Sequence, residues 1–241
     1  MAVLRKIRVR RASRRKSRAQ QEFAFRTWGG KRAGAGRPKR STETVPHGVR
    51  PAHSRHRPLH ITVRMLKSAP DLRRDRVMVA IRGVFATARE RKGFRLTNYS
   101  VQRDHIHLIA EAMDRVALSN AMRSLCSRIA RAVNRAVARR GQLVAERYHA
   151  RALSAPKEVR RALLYVLRNS HHHERTHGRY LPPWHYDPCS SALEFDGFAL
   201  HPEFPPPPLK ARCTTVTPSY SYLLARGWKK HGLIAITEIP S

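Results

Sequence analysis

The chain is expected to fold as an α+β domain, an antiparallel sheet with helices on one face, preceded by a disordered basic arm. Three observations predict this. Alternating β-branched runs occupy residues 59–64, 94–101 and 105–112, apolar residues recur at helical spacing between and after them, and the first 57 residues show no regular apolar period. Leu59-His-Ile-Thr-Val-Arg64 alternates as a half-buried strand should. Asp71 is a candidate cap for a helix whose apolar positions are Val77, Ile81, Val84, Phe85 and Ala88, with Gly93 as its expected stop. Two further alternating runs flank the polar break Gln102-Arg103-Asp104 and read as a hairpin.

A longer helix follows. Leu118, Met122, Leu125, Ile129, Val133 and Val137 lie on one face, arginines at 123, 128, 131, 135, 139 and 140 on the others, and Gly141 is the expected stop. Residues 143–153 make a poorer strand, interrupted by Glu146-Arg147. Pro156 suits the first turn of a third helix striped by Val159, Leu163, Val166 and Leu167. The order β-α-β-β-α-β plus a C-terminal helix is the split βαβ, or ferredoxin-like, arrangement.

Composition sets the partner class. A formal charge of +33 over 241 residues opposes compaction unless polyanions neutralise it, which points to DNA or RNA bound through its phosphates. A packing protein of ribosomal or chromatin type is the bland alternative. Residues 1–57 hold 18 Lys and Arg against two Glu and cannot bury enough surface to offset their ordering entropy. They read as a disordered nucleic-acid-binding arm, with Arg37, Lys39 and Arg40 as phosphate contacts. Gly36-Arg37-Pro38 resembles the core of a minor-groove AT-hook but lacks its flanking Arg-Gly.

Residues 58–198 are expected to form the folded domain, and residues 199–241 a Pro-rich linker and short helical tail. The three cysteines at 126, 189 and 213 form no CxxC pair, which argues against a zinc ribbon or disulfide framework and fits a reducing cytoplasm. No apolar stretch reaches the roughly 18 residues of a membrane span, so no membrane partner is expected.

Two features carry chemistry. His105-Ile106-His107 sits in an alternating run, so both imidazoles project from one face of the strand, as ligands for a divalent metal or simply as half-exposed histidines. Tyr165 lies off the apolar stripe of the third helix, either as a nucleophile or as a boundary tyrosine packing on the sheet. Asn169, one turn on, offers an amide oxygen to a hard metal.

At these residues the chain resembles the single-tyrosine HUH transposases, closest to the REP-associated tyrosine transposases. The similarity rests on Asp104-His-Ile-His107, Glu146-Arg-Tyr-His-Ala-Arg-Ala-Leu153 and Leu164-Tyr-Val-Leu-Arg-Asn169, and spans residues 58 to 198. Asp104 departs from the Asn common before the first histidine, and Ser170-His-His-His173 replaces a common Asn-Pro. The resemblance implies a single-stranded DNA endonuclease and strand transferase acting at hairpin-flanked palindromic repeats. His105, His107 and Asn169 would hold Mg²⁺ or Mn²⁺, and Tyr165 would form a 5′-phosphotyrosine. The arm and Arg128, Arg131 and Arg135 would track phosphates, with Tyr148, Tyr180, Trp184 and Tyr186 as candidate stacking platforms. A monomer or homodimer associated with a bacterial nucleoid in the cytoplasm is expected. The alternative is a decayed or domesticated protein that binds a DNA or RNA hairpin without cutting it.

Overall fold

A computed structural model describes residue 48 and residues 51–176, 178–204 and 215–240. The expectation of a disordered arm, and with it Arg37, Lys39 and Arg40, lies outside the described residues. The sheet contains β1 (Leu59–Arg64), β2 (Glu90–Arg91), β3 (Phe94–Val101), β4 (His105–Ala112) and β5 (His149–Ala152). Their order is β2-β3-β4-β1-β5, and every pairing is antiparallel. Without the two-residue β2, this is the ferredoxin-like order that β-α-β-β-α-β connectivity generates.

Helices α1 (Asp75–Ala88) and α2 (Arg115–Ala136) cover one face, as expected. Their apolar stripes, including Val77, Ile81 and Phe85 from α1 and Met122, Leu125 and Ile129 from α2, meet Ile61, Val63, Ile106 and Leu108 in one core. A β-bulge between Leu96 and Asn98 shifts the phase of β3, which lets Leu96, Tyr99 and Val101 all reach that core.

Several boundaries differ from the sequence reading. Asp71 caps a turn, accepting from the Arg73 N–H at 2.9 Å, and α1 starts four residues later. Gly93 does not stop α1. It makes the tight β2–β3 turn at φ +75, where a Cβ would also press to 3.2 Å on Ala117. Helix α2 ends at Ala136, ahead of a left-handed Ala138.

Helix α3 (Pro156–Leu167) lies on the opposite face of the sheet from α1 and α2. Its stripe joins Ile109, the residue of β4 that alternates away from the first core. Glu158 in its first turn accepts from the Ser154 and Ala155 N–H groups at 2.7 and 3.3 Å.

Residues 215–240 are not a loose tail. Leu224, Trp228, Ile234 and Ile236 are buried against α3 with Phe198. The Arg160 guanidinium grips the Glu238 carboxylate through two bonds of 2.6 and 2.7 Å and donates to the Gly232 and Leu233 carbonyls. Arg168, 1 % exposed, donates to the carbonyls of Pro183, His185 and Glu238. Burial lowers its pKa to about 10. Among the described residues, no helix is long and apolar enough to cross a membrane.

Candidate active site

Strand alternation and register assemble the site before any side chain is considered. On β4, Ile106 and Leu108 enter the first core, so His105 and His107 face α3. On β1, Thr62 stands opposite His107 and Arg64 opposite His105. The α3 face of the sheet therefore presents His60, Thr62 and Arg64 beside His105 and His107.

Tyr165 projects from α3 onto this group. Its hydroxyl lies 3.5 Å from His107 Nε2, and the two rings meet edge to face with centroids 5.1 Å apart. Together they line a cleft of about 1070 Å³ with Arg64, Lys67, Arg103 and Arg179, and with His172 and His173 of α4 (Asn169–Thr176). Arg73 also lines it, and so do Asp71, Asp104 and Glu174. Arg103 is paired to Asp71 and Arg179 to Glu174, so the cationic excess that suits a phosphate-bearing ligand comes chiefly from Arg64 and Lys67.

Burial decides the charge of the inner histidines. Desolvation, reinforced by His105, His60 and His173, lowers the His107 pKa to about 3. Desolvation, with Arg151 and His149 adding to it, lowers that of His60 to about 4. Both rings are neutral near pH 7. These values lie below the ordinary 6.5, so the unfolded chain takes up protons first as the pH falls. The metal-free protein is therefore expected to lose stability progressively as the pH drops from 6.5 toward 3. The urea midpoint at constant ionic strength measures this, and His60→Phe should reduce the slope between pH 6.5 and 5. An unchanged slope would contradict the buried neutral state of His60.

His105 is held differently. Its Nδ1 lies 2.7 Å from the Asp104 carboxylate, which leaves Nε2 for the cleft. Burial raises the Asp104 pKa, but the hydrogen bond and charge of His105 outweigh it and hold the carboxyl below its usual range. Burial raises the pKa of Tyr165.

The structure does not bring every sequence candidate to the cleft. Helix α3 ends at Leu167, Arg168 leaves helical geometry at φ −114 and ψ 17, and the chain restarts as α4 at Asn169. Asn169 is thus not one regular turn beyond Tyr165. It is fully buried, and neither amide atom has a hydrogen-bond partner among the described residues. The cleft wall instead carries Ser170.

Helix α2 packs on the other face of the sheet, which separates its arginines from the cleft. Arg131 and Arg135 are exposed there, and Arg128 is tied to Thr87 through the backbone carbonyl and side-chain oxygen. The His171–His173 tract splits. His171 is buried, with its Nε2 3.2 Å from the His185 carbonyl, whereas His172 and His173 line the cleft.

The aromatic candidates also divide. Tyr180 is 82 % exposed, Trp184 stacks on Phe204 at 4.4 Å, Tyr186 packs edge-on against Phe198, and Tyr148 packs on the first core. Sequence reasoning missed His60, Thr62 and Arg64. The signal was present, since all three are the polar positions of the alternating β1 run.

Residues 58–166 match the family model described as Transposase IS200 like. The matched stretch holds His60, Thr62, His105, His107 and Tyr165, and stops before Asn169. A solved structure of a REP-associated tyrosine transposase bound to a REP hairpin is similar at 15 % identity, covering 61 % of this chain and 82 % of that chain, with a TM-score of 0.46. No curated protein matches the chain.

The cleft fits a divalent cation in part. His107 is neutral with Nε2 toward the cleft, and His105 has its other nitrogen occupied by Asp104, the arrangement that metal-binding imidazoles need. Among the described residues, no three His, Cys, Asp or Glu side chains converge as a metal cage. The two imidazoles would therefore be the protein's share of an open coordination sphere.

Proposed function

We propose that the cleft cuts and rejoins single-stranded DNA at hairpin-flanked sites through a 5′-phosphotyrosine on Tyr165. The observation that carries this reading is the Tyr165 hydroxyl facing His107 Nε2 at 3.5 Å inside a cleft rimmed by Arg64, Lys67, Arg103 and Arg179. The IS200-like match over residues 58–166 supports it.

The cationic rim would hold the phosphates on either side of the scissile bond and set the strand in line with the phenol. His105 and His107 would hold Mg²⁺ or Mn²⁺, which would supply Lewis-acid stabilisation of the phosphoryl oxygens. The Tyr165 oxygen attacks phosphorus and its proton passes to solvent in the open cleft. The bond to the 3′ oxygen breaks, that oxygen leaves with the electron pair and is protonated, and the downstream strand stays on the tyrosine by its 5′ phosphate. A later attack by a 3′-OH on the phosphotyrosine reverses these steps and joins a new strand.

The test is to incubate the protein and Mn²⁺ with hairpin-flanked single strands from palindromic repeats near its own gene. A denaturation-resistant adduct should carry a 3′-end label and not a 5′-end label, and EDTA should abolish it. Tight hairpin binding with no adduct would instead favour the non-catalytic reading. Deleting residues 1–57 should weaken DNA binding and flatten its salt dependence while leaving the polarity of the adduct unchanged. Neutralising Z phosphates contributes a slope of about −0.7Z on single strands, so an unchanged slope would remove the phosphate-tracking role of the arm.

A further inference from the structure

The two ring nitrogens of His107 face different surroundings. Nε2 faces the Tyr165 hydroxyl, and Nδ1 faces Thr62 Oγ1 at 3.2 Å and His60 Nε2 at 3.3 Å. Thr62 stands directly opposite His107 in the β1–β4 register and His60 opposite Ile109, so both partners come from alternate positions of one strand. A neutral imidazole carries one N–H and one ring lone pair. With the proton on Nδ1, Thr62 Oγ1 and His60 Nε2 can both accept it and Nε2 turns a lone pair to the cleft, whereas with the proton on Nε2 either partner can donate to Nδ1 instead. With the proton on Nε2, His107 can neither coordinate a cation nor accept from the phenol. The partners on Nδ1 thus decide what Tyr165 meets.

We propose that His60 and Thr62 are positioning residues that hold His107 in its Nδ1–H form, with the Nε2 lone pair turned toward Tyr165. The choice of this tautomer and its consequence for DNA cleavage both rest on the nuclease reading above, since that reading is what requires a lone pair on Nε2, while the spectrum that tests the tautomer is recorded without metal or DNA. Among the described residues, the hydrogen bonding of His60 to this group runs through His107. The His60 ring also lies edge to face against Tyr165 at 5.9 Å, so replacing it by an aromatic ring separates hydrogen bonding from packing.

Long-range ¹H–¹⁵N spectra of uniformly labelled protein, recorded at pH 7 in EDTA and without DNA, read the tautomer directly. His107 is assigned by the signal lost in His107→Gln. The wild type is expected to show a protonated Nδ1 and a bare Nε2. In the His60→Phe/Thr62→Val double variant, His107 should shift to the Nε2–H form or to a mixture. The rate of adduct formation with Mn²⁺ should fall by about 10- to 100-fold, the usual cost of losing an outer partner of a metal-binding histidine, while hairpin affinity stays unchanged. His60→Gln in the Thr62→Val background, which restores an acceptor oxygen, should recover part of both.

A wild-type His107 found as Nε2–H would overturn the proposal. So would a folded double variant that keeps the Nδ1–H form. The wild-type spectrum decides even if the double variant does not fold. An Nδ1–H form together with no adduct on a cognate hairpin would support the positioning role and remove the nuclease reading.

Discussion

Tyr165→Phe is expected to abolish the covalent protein–DNA adduct while leaving the fold and hairpin binding intact. The substitution removes one oxygen. Among the described residues, that oxygen's only hydrogen-bond contact is the 3.5 Å approach to His107, and the ring is half-buried beside the α3 stripe. Losing so long a bond should cost no more than about 1 kcal/mol of stability. The chemistry has no such margin, because phenylalanine cannot form the bond to phosphorus. Loss of a nucleophile of this kind lowers turnover on the order of 10³-fold or more. The expected pattern is a lost adduct on denaturing gels with an unchanged melting midpoint and hairpin affinity. Cleavage that persists in this variant would place the nucleophile elsewhere, with His60, His172 or His173 next to be tested.

Trp228→Ala is expected to be the most damaging single change to stability. Trp228 is 1 % exposed, donates from Nε1 to the Leu224 carbonyl at 2.9 Å and stacks on Phe195. The backbone comes close enough that a Cβ at Gly197 would lie 2.6 Å from its ring. A cavity in such a site cannot collapse fully, so the expected loss is about 3–5 kcal/mol, against roughly 5–15 kcal/mol for a whole domain. Because this segment packs on α3, hydrogen-exchange protection should fall in α3 before the β1–β4 pairing. Adduct formation should then fail at temperatures the wild type tolerates. Leu200→Ala is the control, since Leu200 is 86 % exposed and such positions usually change stability by less than about 0.5 kcal/mol. A midpoint for Trp228→Ala close to that of the control would mean that the C-terminal segment does not support the tyrosine helix.

These two expectations differ in how far they could be read from the chain. Tyr165 stood out because it lies off an apolar stripe, and His105 and His107 because period-two alternation puts them on one face. Local periodicity also located the elements of the β-α-β-β-α-β order up to its last strand, which was a poorer candidate over residues 143–153 and proves to be His149–Ala152. It could not tell whether Gly93 ends a helix or turns a hairpin, because a positive-φ glycine serves both. Nor could it foresee that Arg168 would break the helix before Asn169, which depends on carbonyls contributed by Pro183, His185 and Glu238. The arginines of α2 illustrate another limit. Their spacing marks them as exposed, but only the stacking of layers shows that α2 and the cleft lie on opposite faces of the sheet.

What the sequence determined by itself is therefore what short-range geometry controls: the elements, the shared face of the two histidines and the isolation of the tyrosine from its stripe. What the tertiary structure decided is which groups meet. The β1–β4 register brought Thr62 and His60 to His107, and the packing of residues 215–240 fixed α3 over the histidines. Pairing across strands is set by the whole buried surface, so no window of the sequence contains it.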